Sequence, residues 1–206
     1  MNTFRQFAIA LAFAFAAPLA AQETKPDAAE PPKMSAEEQR IMDAWMTAGK
    51  PAAEHEQLAA LVGSWNAATT MWMSPDAPPQ QGKGTEVSEA VYGGRYVRST
   101  FNGEWNGEKF EGTALTGYDN ARKKHFVAWY DSMSTALYTA YGDFDAATKT
   151  YTFHGEMADP AFPGQITKVR QLVRIASNDE HTMSWYETRG TAAEAKTMEI
   201  VYTRAK

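Results

Sequence analysis

The sequence predicts an all-β fold: an antiparallel up-and-down barrel of about ten strands, preceded by one or two short α-helices. Short runs that alternate apolar and polar residues follow one another from Trp65 to Arg204, separated by turn residues. No helical period interrupts these runs, which argues against parallel βαβ units. With an even number of strands, the first strand begins at the end where the last strand finishes, so Trp65 and Arg204 are expected to meet.

Residues 1–21 are predicted to form a secretory signal peptide. Arg5 precedes an apolar run from Phe7 to Phe15, and the small-residue segment 18–21 follows. The run is too short to cross the roughly 30 Å of hydrocarbon in a bilayer. We therefore expect an exported protein, periplasmic or secreted, with no membrane insertion after the signal is cleaved.

Composition and charge narrow the possible function classes. The full chain has a formal charge of −5, and removal of Arg5 with the signal leaves −5 − 1 = −6. An acidic chain without a long basic run is not expected to bind nucleic acid. The absence of cysteine excludes disulfides and thiolate chemistry, and it favours a bacterial periplasm over a eukaryotic secretory route.

The segment between the signal and the barrel is expected to contain a linker and then helices. Residues 22–33 are rich in proline, alanine and charge, which is typical of a disordered linker. Residues 34–61 are predicted to form helices that pack on the barrel, beginning with a capping box from Ser35 to Glu38. The first helix carries an apolar face that should pack on the barrel or contact a second copy of the chain: Ile41, Met42, Trp45 and Met46.

Residues 62–206 are predicted to form the barrel domain, in which alternate side chains face the lumen. The alternation assigns the following residues, strand by strand, to one face: Trp65, Ala67, Thr69 and Met71; Val87, Glu89 and Val91; Val97, Ser99 and Phe101; Val127, Trp129, Asp131 and Met133; Leu137, Thr139 and Tyr141; Tyr151 and Phe153; Val169, Gln171, Val173 and Ile175; Met183, Trp185 and Glu187; Met198, Ile200, Tyr202 and Arg204. A further strand is predicted around residues 111–115. A guanidinium stacked over an indole is favourable, so Arg204 over Trp65 is expected to plug one end.

The ends of the barrel sequence resemble a known superfamily. Gly63-x-Trp65 in the first strand, with Arg204 in the last, resembles the closing Trp–Arg pair of calycins, which include lipocalins and fatty-acid-binding proteins. An ordered set of motifs is similar to the DUF1579 family: His55-x-x-Leu58-x-x-Leu61-Val62-Gly63-x-Trp65, Gly93-Gly94-Arg95-Tyr96, Gly117-Tyr118-Asp119 and Tyr202-Thr203-Arg204. The resemblance covers roughly residues 52–206 and implies a calycin-like barrel with one closed end and an internal cavity. It carries over no catalytic residue, and the haem-binding histidine of nitrobindin-like relatives has no matching motif here.

Polar residues on the predicted inward faces are the candidate ligand-binding groups. A charge buried without a partner costs several kcal/mol, so each needs a cation, a proton or water nearby. Strand direction places Asp131 and Glu187 at the mouth, opposite the Trp65 end. The hypothesis is that polar groups bind the head of a small apolar or amphipathic molecule while large side chains hold its body, the site comprising Asp131, Glu187, Glu89, Gln171, Trp129, Met133, Trp185 and Tyr202. The alternatives are that the polar groups are lumen residues linked by water, or that the face assignment is shifted by one residue, which would reverse every side chain of a strand.

The sequence gives weaker signals for a catalytic or metal site than for a ligand-binding site. The four histidines do not show the short helical spacing of zinc proteases, and Gly-x-Ser-x-Gly and the common phosphate-binding loops are absent. We therefore assign no catalytic residue, metal or cofactor. Two other functions stay open: a small hydrolase or isomerase using Asp131 with Glu187 or Glu89, and a non-catalytic envelope interaction protein. The sequence does not specify the oligomeric state.

Overall fold

The computed structural model describes residues 34–74, 77–105, 107–160 and 162–206, without the side chain of Trp105. The predicted signal peptide (1–21) and linker (22–33) lie outside the described residues. Within the described ranges, no helix has the length and apolar character needed to cross a bilayer.

Ten antiparallel strands form a closed barrel, as the sequence predicts. Each strand is hydrogen-bonded to the next along the chain, and β10 returns to pair with β1. The strands are β1 Gly63–Met71, β2 Gln80–Val91, β3 Tyr96–Trp105, β4 Glu108–Asp119, β5 Lys124–Asp131, β6 Tyr138–Asp145, β7 Thr150–Ala158, β8 Ile166–Ser177, β9 Glu180–Arg189 and β10 Ala195–Arg204. Because consecutive strands alternate in direction, the loops after odd-numbered strands lie at one end, here called the mouth.

Trp65 and Arg204 close the opposite end. They are directly paired between β1 and β10, and the Arg204 guanidinium carbon lies 4.2 Å from the centre of the Trp65 ring. The Trp65 indole N–H donates to the Leu61 carbonyl at 3.0 Å, and the Arg204 guanidinium donates to the Val62 carbonyl at 3.3 Å. The first bond is local, and the second ties the segment that enters the barrel to its last strand. Trp65 is only 1% exposed.

The predicted face of β2 is wrong by one residue. Glu86 and Ser88 point inward and are buried, whereas the Glu89 side chain is 57% exposed and forms an ion pair with Arg98 on the outer wall. The apolar signal was misleading because Val87 is exposed on the outer face, while the inward positions before Glu86 are glycines. A slip of one residue reverses every side chain of a strand.

The same error affects β6, where Tyr138 and Ala140 face inward and are buried. Leu137 and Tyr141, which the sequence placed with the core, are exposed. This strand carries apolar residues on both faces, so alternation alone does not identify the inner one.

From residue 34 onward, two helices and a 3-10 turn precede the barrel: α1 Ala36–Ala48, α2 Ala53–Gln57 and the turn Leu58–Leu61. The predicted capping box is present, with the Ser35 hydroxyl bonded to the Glu38 backbone N–H and the Glu38 carboxylate bonded to the Ser35 backbone N–H. The 3-10 turn packs on the closed end, where Leu58 joins the core. It thereby covers one end of the barrel.

The predicted packing of the α1 apolar face on the barrel is wrong for the described residues. No α1 residue is buried, and Trp45 is 75% exposed. Side chains of the barrel hold α1 through carbonyls at its C-terminal end: Arg95 donates to Gly49, and Asn120 donates to Ala48 and Lys50. These polar bonds fix one end of the helix without bringing its apolar face against the wall. Contact of this face with another copy of the chain stays a prediction.

Candidate ligand site in the barrel lumen

Aromatic side chains dominate the lumen, and two glycines make room for the large ones. A Cβ atom on Gly112 of β4 would lie 2.2 Å from the Trp129 indole, and one on Gly155 of β7 would lie 2.8 Å from the Tyr138 hydroxyl. Because real Cβ contacts are never this short, the Trp129 and Tyr138 rings occupy space that only glycine leaves free. Both rings therefore lie across neighbouring strands inside the barrel.

Each mouth carboxylate is bonded to an indole of its own strand. The Trp129 indole N–H donates to the Asp131 carboxylate at 2.9 Å, and the Trp185 indole N–H donates to the Glu187 carboxylate at 3.1 Å. Residues two apart in a strand share a face, so this pairing follows directly from the spacing. The tripeptide Trp-Tyr-acid occurs at both places, and this repeat was the sequence signal for the pair of bonds.

The second oxygen of each carboxylate also has a partner. The Met133 backbone N–H donates to Asp131 at 2.9 Å, and the Arg189 guanidinium donates to Glu187 at 2.8 Å. These bonds fix the carboxylates at the rim, and they place one cation, Arg189, beside Glu187.

Inside the lumen, Trp185 lies between two polar side chains, those of Gln171 and Tyr138. Gln171 is its directly paired neighbour on β8, and the Tyr138 ring lies 4.8 Å from the Trp185 ring. The Gln171 amide oxygen and the Tyr138 hydroxyl are buried, and neither has a hydrogen-bond partner among the described residues. Burial raises the pKa of Tyr138, so its hydroxyl stays neutral and is able both to donate and to accept a hydrogen bond.

A buried carboxyl lies deeper, near the closed end, and sequence reasoning missed it because of the slip in β2. Glu86 is 8% exposed and is paired with Trp65 on β1 and Phe101 on β3. The Ser88 hydroxyl donates to it at 2.9 Å, and the Tyr202 hydroxyl is also bonded to it. Burial raises the pKa of Glu86, and these hydrogen bonds oppose the shift.

Histidines line the lumen without forming a metal centre. His125 contacts Tyr118 and Tyr151, while His181 lies between the Trp65 and Tyr202 rings. Among the described residues, no group of three His, Cys, Asp or Glu side chains is placed to hold a metal ion. In both cases the imidazole packs as part of an aromatic cluster.

Residues 50–204 match the profile of the family described as "Protein of unknown function (DUF1579)". The chain belongs to the DUF1579 family. No curated protein matches it.

Solved structures to which this chain is similar include Rv2717c from M. tuberculosis and the S-type phycobiliprotein lyase CPES from Guillardia theta. The first has 15% identity and a TM-score of 0.57, and the match covers 76% of this chain and 100% of that chain. The second has 12% identity and a TM-score of 0.48, with coverage of 76% and 99%. The likeness to Rv2717c shows that this DUF1579 chain shares the overall fold of that protein.

The DUF1579 barrel brings six of the eight predicted ligand-binding residues to its inner face. These are Asp131, Glu187, Gln171, Trp129, Trp185 and Tyr202. Tyr202 lies near the closed end with Glu86, whereas the other five lie further toward the mouth. Glu89 is on the outer wall. Met133 is exposed in the loop after β5, where the alternation of strand side chains no longer applies.

Proposed function

We propose that this exported calycin-like barrel binds a small, largely apolar molecule in its lumen and that the group around Trp185 recognises a polar part of that molecule. The observation that carries this proposal is the pair of unpartnered polar atoms, Gln171 Oε1 and the Tyr138 hydroxyl, beside one indole. A buried polar group without a partner costs about 1–3 kcal/mol. A ligand that supplies a hydrogen-bond donor to Gln171 recovers this free energy.

The composition of the lumen supports an apolar ligand body. Ligand pockets are lined mainly by hydrophobic and aromatic residues with a few placed polar groups. Here Trp185 and Met183 pack against the core cluster that includes Tyr138 and Phe153. The mouth adds exposed apolar side chains from three separate loops: Met73, Met133 and Phe162. An apolar molecule entering here would meet apolar surface before it reached Trp185.

Replacing Gln171 with leucine is expected to weaken binding of an amine probe about tenfold or more, because the variant loses the acceptor but keeps a similar volume. N-phenyl-1-naphthylamine is a suitable fluorescent probe, since it has one N–H donor on an apolar body. Its dissociation constant is measured by fluorescence titration of the folded protein.

Gln57→Leu is the matched control. Gln57 also has a buried, unpartnered side-chain oxygen, but it lies on α2 outside the barrel. Equal effects of the two substitutions would show that Gln171 does not bind the probe. Absence of saturable binding to the parent, with no compound released on solvent extraction of purified protein, would contradict the lumen proposal itself.

Export is the second part of the proposal and rests on the N-terminal sequence. Expression of the full chain in a Gram-negative host should yield a periplasmic protein whose N-terminus is Gln22, because the signal ends at Ala21. Cell fractionation with intact-mass measurement tests this. A cytoplasmic protein that retains Arg5 would contradict it, and Arg5→Glu should reduce export by removing the charge that precedes the apolar run.

The enzyme alternative receives less support than ligand binding. Glu89 lies outside the lumen, so its proposed pairing with Asp131 across a cavity is wrong. Asp131 and Glu187 both face inward, but each already accepts two hydrogen bonds from neighbouring groups. These bonds fit a structural or ligand-orienting role for the mouth carboxylates.

A further inference from the structure

A second cleft lies outside the barrel, between the α1–α2 connection and the outer wall near the closed end. Its volume is about 460 Å³, within the range of about 300–1,000 Å³ that small-molecule sites occupy. Its lining includes Gly49, His55, Arg95, Tyr96, Phe126 and Tyr141. Tyr96, Phe126 and Tyr141 alternate with inward residues, so this cleft is separate from the lumen.

The wall of this outer cleft is a continuous aromatic surface. The Tyr96 and Phe126 rings lie 6.0 Å apart, and the Phe126 and Tyr141 rings lie 6.4 Å apart. Gly117 separates Tyr96 from Phe126 in the sheet, and a Cβ atom there would lie 2.6 Å from Phe126 and 2.8 Å from Tyr96. The absence of a side chain at Gly117 therefore lets rings from non-adjacent strands meet.

A guanidinium is held at the edge of the aromatic wall. Arg95 donates to the Gly49 carbonyl at 3.0 and 2.8 Å and to the Tyr92 carbonyl at 3.0 Å. Within the described ranges, no carboxylate forms an ion pair with Arg95. Since an arginine has five N–H donors, these three bonds leave two donors and an uncompensated charge. The Arg95 guanidinium is thus held in one position, and its charge and two free donors suit an anion.

His55 supplies a second donor in the same cleft. Its Nδ1 atom accepts from the Ala52 backbone N–H at 2.9 Å, so the proton of the neutral ring is on Nε2. The Nε2 atom has no hydrogen-bond partner in the described part of the chain. Asp119, the carboxylate among the lining residues, already accepts from two backbone N–H groups and lies 3.4 Å from Arg122. The polar side of the cleft therefore favours a ligand with acceptor atoms and negative charge.

We propose that the outer cleft binds a small carboxylate attached to a planar apolar ring. The carboxylate pairs with the fixed Arg95 guanidinium, which recognises this geometry well. The ring packs on the surface formed by Tyr96, Phe126 and Tyr141. This site does not depend on ligand binding in the lumen.

Phenylacetate and its neutral analogue phenylacetamide are the probes for this proposal. Titration into the folded, isotopically labelled protein is followed by amide NMR. We expect saturable shifts at the Gly49 and Gly117 amides, with phenylacetate binding at least tenfold more tightly than phenylacetamide. Arg95→Gln should abolish this preference, whereas Tyr141→Ser should weaken both probes to a similar degree.

Arg98→Gln is the matched control, because Arg98 lies on β3 shortly after Arg95 and pairs with Glu89 away from the cleft. It should leave both affinities unchanged. Retained NMR dispersion identifies variants that stay folded, and Tyr141→Ser tests the site without disturbing the bonds of Arg95. Equal affinity for acid and amide, shifts confined to the Trp185 neighbourhood, or no saturation in the millimolar range would each overturn the proposal.

Discussion

Replacing Trp65 with alanine is expected to lower the free energy of unfolding by about 3–5 kcal/mol, the usual range for a fully buried tryptophan. The side chain is 1% exposed and contacts Arg204 on one side and His181, whose ring centre is 4.4 Å away. Truncation would leave a cavity at the seam where β1 meets β10. It would also remove the indole N–H that bonds to the Leu61 carbonyl.

Urea denaturation of parent and variant measures this loss. Trp45→Ala is the matched control, because the same side chain is 75% exposed on α1, and surface substitutions usually change stability by no more than about 0.5 kcal/mol. Similar losses in the two variants would show that closure of the barrel does not depend on Trp65. An unchanged dependence on urea concentration would confirm that both variants unfold from the same compact state.

His181 is expected to make the barrel sensitive to acid. It is 4% exposed, and its Nδ1 atom has no hydrogen-bond partner among the described residues. Burial, followed by the charge of Arg204, lowers the pKa of His181 from 6.5 to about 4. The folded state therefore resists a proton that the unfolded chain accepts. Between about pH 6.5 and 4 the unfolded state binds more protons, so stability falls as the pH falls, by roughly 3 kcal/mol from this group.

His181→Phe should remove this part of the pH dependence, because a phenyl ring keeps the stacking against Tyr202 without titrating. The measurement is the free energy of unfolding of both proteins at several values between pH 7 and pH 4. Glu86 titrates in both proteins, and burial raises its pKa, so its opposite contribution cancels in the comparison. Parallel pH curves for parent and variant would contradict the prediction. His154→Phe is the control, since His154 is exposed on the outer wall.

Whether the inner face of a strand was predicted correctly depended on which residues lie on that face. In β5 and β9, residues such as Trp129 and Trp185 alternate with residues turned outward, so the inner face was predicted correctly. In β2 the inner face carries glycines and Glu86, while Val87 faces solvent. The usual signal is reversed because the Phe101 ring of the neighbouring strand β3 fills the space inside Gly84, and the inward position at Glu86 carries a polar group.

The site was only partly predictable for a related reason. Asp131 and Glu187 were found from strand direction and spacing, and the repeated Trp-Tyr-acid tripeptide also implies their bonds to indoles. The relation between Tyr138 and Trp185 was not predictable, because it joins β6 to β9 across the barrel. The position of the apolar face of α1 was likewise predicted wrongly. An amphipathic pattern indicates that a helix has an apolar face, but it does not identify the surface against which that face packs.

The all-β class, the approximate strand number and the meeting of Trp65 with Arg204 could be predicted from the amino-acid pattern, because strand period and parity are local or topological properties. The folded barrel was needed to show that Glu86 rather than Glu89 faces inward, and that Gln171 and Tyr138 flank Trp185. It also created the outer cleft by letting Tyr96 and Phe126 meet over Gly117. Such contacts depend on which side chains share a volume once the barrel closes, and no single strand contains that information.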